Sequence, residues 1–288
     1  MDSITLFCPA KINLTLEILG TRPDGYHLLR SIMQPVDLFD ELTVSAQSGQ
    51  GIELASEGLK LPDIKENLVY KSAELYLKET GISARLRLKL KKKIPIQAGL
   101  GGGSSNAAAA LIGLNRIYNA LSTDRLIELA SGIGADVPFF IHCRTALIEG
   151  VGEKITVLND FPLLNYLIVK PSFGLSTADV YSKWDELNSN SSNPLDINKV
   201  MKMYQKGEII IKNELEHAAI SLNPGISKLI ELLKQLGCDN VLMSGSGTAV
   251  FAIFPSQNGA KDVYDYLNDS GNLSVFIAKG ISGWHRLS

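Results

Sequence analysis

Little in this chain points to covalent or metal cross-linking. Only three of its 288 residues are cysteine, Cys8, Cys143 and Cys238. No two are near one another, so neither a disulfide framework nor a cysteine zinc site is expected. The four histidines (His27, His142, His217 and His285) are equally scattered and give no metal-ligand spacing. Neither sign of charge is in excess: 28 Lys and Arg face 30 Asp and Glu, a formal net charge of −2. That balance argues against a sequence-independent nucleic-acid binder, which needs a basic surface to displace counterions. It argues equally against an acidic disordered chain. No basic start precedes a long apolar run, so no signal peptide is expected. Two stretches, 94–115 and 241–260, lack charge altogether, but Gly, Ser and Asn interrupt both, so neither reads as a membrane span. The expected setting is a reducing cytoplasm, with no nucleic acid, membrane or obligate protein partner.

Hydrophobic residues make up 45%, a normal globular share, and this length allows one large domain or two smaller ones. Ile12, Leu14, Leu16 and Ile18 alternate with Lys11, Asn13, Thr15 and Glu17, which predicts a strand with one buried face and puts Lys11 and Asn13 on the same side. Arg22-Pro23-Asp24-Gly25 ends it as a turn. Leu28 to Val36 and Leu42 to Ser45 read as two further strands. Asn67 to Thr80 reads as a helix with Asn67 as N-cap and Gly81 past its end. Arg85 to Lys91 alternates without a fault and is a strand whose basic, solvated face continues into Lys92 and Lys93. Helices are predicted from Ser104 to Tyr118 and from a Ser122 cap to about Ser131. Short strands follow around Gly150 and Gly152, and another runs from Leu164 towards Pro171. Asn188 to Asn193 reads as a surface loop. Asn223-Pro224 opens a helix closed by Gly237. Strands flank Ser244-Gly245-Ser246-Gly247, and a helix over 260–268 and a strand over 273–279 complete the chain. Strands and helices mix throughout, as in an α/β or α+β fold, with a weak sign of a boundary between residues 150 and 165.

Pro95-Ile96-Gln97-Ala98-Gly99-Leu100-Gly101-Gly102-Gly103-Ser104-Ser105 lies between a strand and a helix. Four glycines in five residues let backbone N–H groups face outward, and the helix start adds partial positive charge, so the segment is either an anion cradle or only a tight, closely packed turn. It is not a Walker A loop, since no Gly-Lys-Ser/Thr follows, and it lacks the third glycine of a dinucleotide fingerprint. Asp136, set among apolar neighbours in Gly134-Ala135-Asp136-Val137-Pro138, is either a helix N-cap or a partly desolvated base for a substrate hydroxyl. Lys11 is either an ordinary solvent-facing lysine or a site residue beside Asn13. Tyr26 and His27 are either core edge or ligand contacts. The second glycine cluster, 244–248, is a hairpin turn or part of a site.

Three blocks in order, Pro9-Ala10-Lys11-Ile12-Asn13-Leu14, Pro95 to Ala109, and Met243-Ser244-Gly245-Ser246-Gly247, resemble the GHMP small-molecule kinase superfamily. Asp24-Gly25-Tyr26-His27 and Gly134-Ala135-Asp136-Val137-Pro138 are similar to the branch that phosphorylates diphosphocytidyl methylerythritol. The resemblance spans nearly the whole chain. It implies an α+β, two-domain fold: a ribosomal protein S5 domain 2-like N-terminal ATP-binding domain over 1–155 and a ferredoxin-like substrate-side domain over 156–288. Asp136 would be the base, with Lys11 its electrostatic partner. Residues 95–105 would wrap the phosphates of ATP, and Mg²⁺ would accompany them with its protein ligands unknown. Asn13, Tyr26, His27 and Tyr181 would meet the small-molecule substrate, with cytosine between Tyr26 and Tyr181. Thr21 departs from the basic residue frequent before the turn. Two other readings stay open. A homoserine or mevalonate-type kinase would keep the glycine loop without a use for Tyr26 and His27. A non-catalytic binder would have no need of Lys11 and Asp136.

Overall fold

The computed structural model describes residues 2–58, 64–187, 194–269 and 271–284. The expected loop at Asn188 to Asn193, and His285, lie outside them. Two long period-two runs start the first sheet. β1 (Asp2–Thr21) and β2 (His27–Gln47) pair antiparallel through the turn at residues 22–25, which the Gly25 N–H closes onto the Arg22 carbonyl at 2.9 Å. β3 (Gly51–Glu57) leads through α1 (Leu68–Thr80) to β4 (Arg85–Lys91), which lies between β3 and β2. The Asn67 side chain accepts from the Val69 N–H, and Gly81 takes φ 67°, so both ends of α1 fall where the local chemistry puts them. Three helices follow: α2 (Gly102–Tyr118), α3 (Thr123–Ser131) and the short α4 (Val137–His142). β5 (Ala146–Gly150) then pairs with β2, and β6 (Lys154–Val157) with β5.

β7 (Asn165–Pro171) opens a second sheet. After it come α5 (Thr177–Glu186), α6 (Ile197–Gln205), β8 (Lys212–Asn213), α7 (Glu216–Leu222), α8 (Gly225–Gln235), β9 (Asn240–Met243), β10 (Val250–Phe254), α9 (Lys261–Asn268) and β11 (Leu273–Lys279). Its order is β11-β7-β10-β9, antiparallel throughout. Counted along the chain this is 4-1-3-2, the ferredoxin-like arrangement. β8 leaves this half and adds to β1 as a parallel partner, Thr15 opposite Lys212. The fold is therefore α+β, with helices against each sheet and an apolar layer of Ile12, Leu14, Ile32, Tyr166, Ile168 and Phe251 between them.

Three expectations change. β1 has two buried faces, not one: Lys11, Asn13, Thr15 and Glu17 are all buried. A register shift between Asn13 and Thr15 sends Ile12 and Leu14 to the layer between the sheets, and Leu16 and Ile18 to the core beneath α5, α7 and α8. The two strands expected within 28–45 are one continuous β2. Lys92 does not continue the basic face. Arg85, Arg87 and Lys89 pair with Glu53 and Glu57 at the surface, whereas Lys92 is buried against Asp40.

Candidate active site

The two uncharged stretches converge. Gly101 (φ 68°) sits at the N-cap of α2 with no side-chain cap, and no acidic residue lies in the first turn, so the orphan N–H groups of that turn stay available to an anion. The loop before it is pinned on two sides. The Lys11 N–H donates to the Leu100 carbonyl at 2.9 Å, and the Ala249 N–H to the Ala98 carbonyl at 3.1 Å. Ser244 Oγ donates to the Gly99 carbonyl at 3.1 Å. A Cβ on Gly99 would lie 1.9 Å from the Ser244 carbonyl oxygen, so only glycine permits this approach. The 244–248 cluster is thus both a β9–β10 hairpin turn and a wall of the site, and its two readings hold together.

Beneath the loop, Asp40 Oδ1 accepts from the N–H groups of Lys93 (2.7 Å) and Ile94 (2.9 Å). Its Oδ2 accepts from the Lys92 ammonium and, at 2.9 Å, from Asn106 Nδ2. Asp40, Lys92 and Asn106 therefore tie both ends of the glycine loop to β2. The sequence marks none of the three as an anchor: Lys92 is expected there on a solvated strand face, and Asp40 and Asn106 carry no signal of their own. The available sign was Lys91-Lys92-Lys93, where alternation cannot point three consecutive lysines outward.

A cavity of 730 Å³ opens between the two glycine clusters. Residues 95–104 line it, together with Lys11, Asn13, Asp136 and Tyr181. Ser105 lies behind, its buried hydroxyl without a partner. Lys11 Nζ donates to Asn13 Oδ1 and stands 3.9 Å from Asp136 Oδ2. Asn13 Nδ2 donates in turn to Ser31 Oγ at 2.8 Å, which fixes the amide and aims its oxygen at the lysine. Asp136 occupies the N-cap position of α4 but makes no capping hydrogen bond, and its side chain, 31% exposed, lines the cavity. Burial lowers the Lys11 pKa from its ordinary value, and the Asp136 charge opposes that shift. The phenol of Tyr181 is raised, by burial first and by Asp136 second.

The other substrate-side residues are placed differently. Tyr26 is 65% exposed and lines a second cavity of 420 Å³ with Arg22 and Asp24. The two cavities share Ala135, Val151 and Gly152 in their walls. His27 lines neither. Its ring packs behind Tyr181 at a centroid distance of 4.8 Å. The structure thus brings Lys11, Asn13, Asp136, Tyr181 and residues 95–104 to one cavity, and leaves Tyr26 on the rim of the next. A further pair, Thr177 Oγ1 and Ser246 Oγ at 2.8 Å, lies in the wall of the first cavity. Among the described residues no group of three or more His, Cys, Asp or Glu could hold a metal ion.

Comparison with known proteins agrees with this geometry. The family model for the GHMP kinase N-terminal domain matches residues 67–144, and that for the C-terminal domain residues 196–273. A 4-diphosphocytidyl-2-C-methyl-D-erythritol kinase of Pelotomaculum thermopropionicum is 41% identical over 264 residues, covering 90% of this chain and 92% of its own. One of Geobacter metallireducens is 37% identical, covering 98% and 100%. A solved 4-(cytidine 5′-diphospho)-2C-methyl-D-erythritol kinase superposes with a TM-score of 0.84 at 33% identity, covering 97% of this chain and all of its own. With matches of this length to both halves, the chain belongs to the GHMP kinases, in the family of the 4-diphosphocytidyl-2-C-methyl-D-erythritol kinases.

Proposed function

We propose that this chain transfers the γ-phosphoryl group of ATP to the 2-hydroxyl of 4-(cytidine 5′-diphospho)-2-C-methyl-D-erythritol, a step of non-mevalonate isoprenoid precursor synthesis. The observation that carries the reading is the Lys11–Asp136 pair, 3.9 Å apart in the cavity that the uncapped N-terminus of α2 also faces. The hydroxyl oxygen attacks the γ-phosphorus, the bond from phosphorus to the β–γ bridging oxygen breaks, and ADP leaves. Asp136 takes the hydroxyl proton, and Lys11 holds the transferring oxygens. Because phosphoryl transfer has a loose transition state, placement and charge matter more than bond-making by the protein. Residues 95–105 hold the phosphates, through backbone N–H groups rather than a basic surface.

GHMP kinases use ATP as phosphate donor. Mg²⁺ would arrive on those phosphates and neutralise their charge. With no carboxylate cluster among the described residues to hold it, the fitting protein donors are hydroxyls, Ser104 at the wall and Ser105, whose oxygen is buried and unpaired. On the substrate side, Tyr181 and the exposed Tyr26 supply aromatic faces for cytosine, and Asn13 faces the acceptor alcohol. We assign 1–155 as the ATP-binding unit and 156–288 as the substrate-side unit. No helix among the described residues is long and apolar enough to cross a membrane, and the three free, buried thiols suit a reducing cytoplasm.

A coupled assay of ADP release tests the reading. ADP is expected with diphosphocytidyl methylerythritol and not with homoserine or mevalonate. Turnover of either of those instead, or of none of the three, would overturn it.

A further inference from the structure

Asp185 belongs to none of the motifs described above, yet the fold aims it at His27, which the resemblance sets against the substrate. His27 opens β2, and its side chain is only 9% exposed. Three side chains of α5 hold its ring. Tyr181 lies against it at 4.8 Å with planes 30° apart, Trp184 meets it edge-on at 5.5 Å, and Asp185 Oδ1 stands 2.8 Å from Nε2. Positions 181, 184 and 185 are i, i+3 and i+4, one face of a helix. A single helical turn therefore fixes both the ring plane and one of its hydrogen bonds.

The tautomer decides what the other nitrogen offers. An ionised carboxylate only accepts, so a neutral imidazole held by it carries its hydrogen on Nε2 and offers Nδ1 as an acceptor. Among the described residues nothing donates to Nδ1. Cytosine carries an amino donor at C4, where uracil carries a carbonyl acceptor. An acceptor at Nδ1 pairs with the first and meets a lone pair on the second.

We propose that Asp185 is a positioning residue for base selection: by holding His27 Nε2–H it presents Nδ1 as an acceptor, which admits a cytidine diphosphate-linked alcohol and rejects its uridine counterpart. This rests on the cytidine reading above.

The test is the ratio of kcat/KM for diphosphocytidyl methylerythritol to that for the uridine analogue, at saturating ATP. Asp185→Asn offers Nε2 either a carbonyl oxygen or an amide N–H, so both imidazole tautomers are accommodated. The ratio is expected to fall at least about tenfold in this variant, with the KM for ATP and Tm unchanged. Asp185→Glu keeps an acceptor-only group and restores most of the preference. A merely structural role would lower both substrates together and leave the ratio alone. An unchanged ratio in Asp185→Asn overturns the role of Asp185 and leaves the cytidine reading intact. A wild-type enzyme that takes both substrates equally overturns both.

Discussion

Asp136 and Lys11 meet in the wall of one cavity, their charged atoms 3.9 Å apart. Asp136 does hold the N-cap position, but its carboxylate leaves the helix end uncapped and lines the cavity with Lys11. Asp136→Asn is expected to lower kcat by about 10²–10⁴ with Tm retained. Steady-state rates beside a thermal melt check this, and full activity would remove Asp136 from the base role. Lys11 adds a pH signature. Its pKa is lowered from 10.5 by burial, so as pH rises the cation is lost before a free lysine would lose it. The alkaline limb of kcat/KM should therefore fall below pH 10.5. With the folded pKa below the unfolded one, stability from this group is present above the unfolded value and lost as pH falls through the folded one. At neutral pH the buried cation weighs against folding. Lys11→Met is thus expected to keep or raise the urea midpoint while cutting turnover by about 10²–10³. A clearly lowered midpoint would contradict that sign.

At the scale of elements, what was legible was local. Asn67 and Gly81 bracket α1, seven alternating residues make β4, and Pro224 with Gly237 frames α8, because caps and periodicity act within a few residues. The second buried face of β1 was not legible, since α5, α7, α8 and β8 cover it from nearly two hundred residues away. The continuity of β2 was hidden by Pro35, Asp37 and Asp40, which break its apolar pattern but serve pairing and anchoring in the sheet. The glycine loop was recognised as a segment, but the division of labour among its glycines needed coordinates. Gly99 (φ 70°) lies against the Ser244 carbonyl, while a Cβ on Gly103 would meet nothing nearer than Leu68 Cδ1 at 3.8 Å. Gly99→Ala should cost about 1–3 kcal/mol and raise the KM for ATP. Gly103→Ala should be neutral or stabilising, since alanine favours a helix by about 1 kcal/mol over glycine. Urea unfolding of the two variants compares them directly, and equal losses would refute the distinction.

The whole molecule is joined by a buried charge cluster around Glu17, on the face of β1 opposite the one expected to be buried. Glu17 accepts from Lys212 Nζ at 2.9 Å, Arg30 Nε at 3.3 Å and the Leu195 N–H at 3.0 Å. Glu214 accepts from the Ile18 N–H at 2.7 Å. These bonds fasten β8 and the segment before α6 to β1. Glu17→Ala strands several donors at once and should lower stability by about 3–5 kcal/mol in one cooperative unfolding transition. A change under 1 kcal/mol in urea titration would show the cluster to be solvent-screened and slight. Lys212 and Leu195 lie 195 and 178 residues from Glu17, beyond the reach of an alternation pattern that gives the strand one buried face.

The approach of Gly99 to Ser244 also limits how such enzymes can be recombined. The glycine loop before α2 comes from one half of the chain and its ceiling from the other, with no room for a methyl group between them. A chimera joined near residue 155 would bring together loops from two parents whose backbones must mesh to within a fraction of an ångström. Homologous halves are therefore interchangeable only when the 95–101 and 244–249 segments travel together, so the unit of inheritance is the loop pair and not the domain.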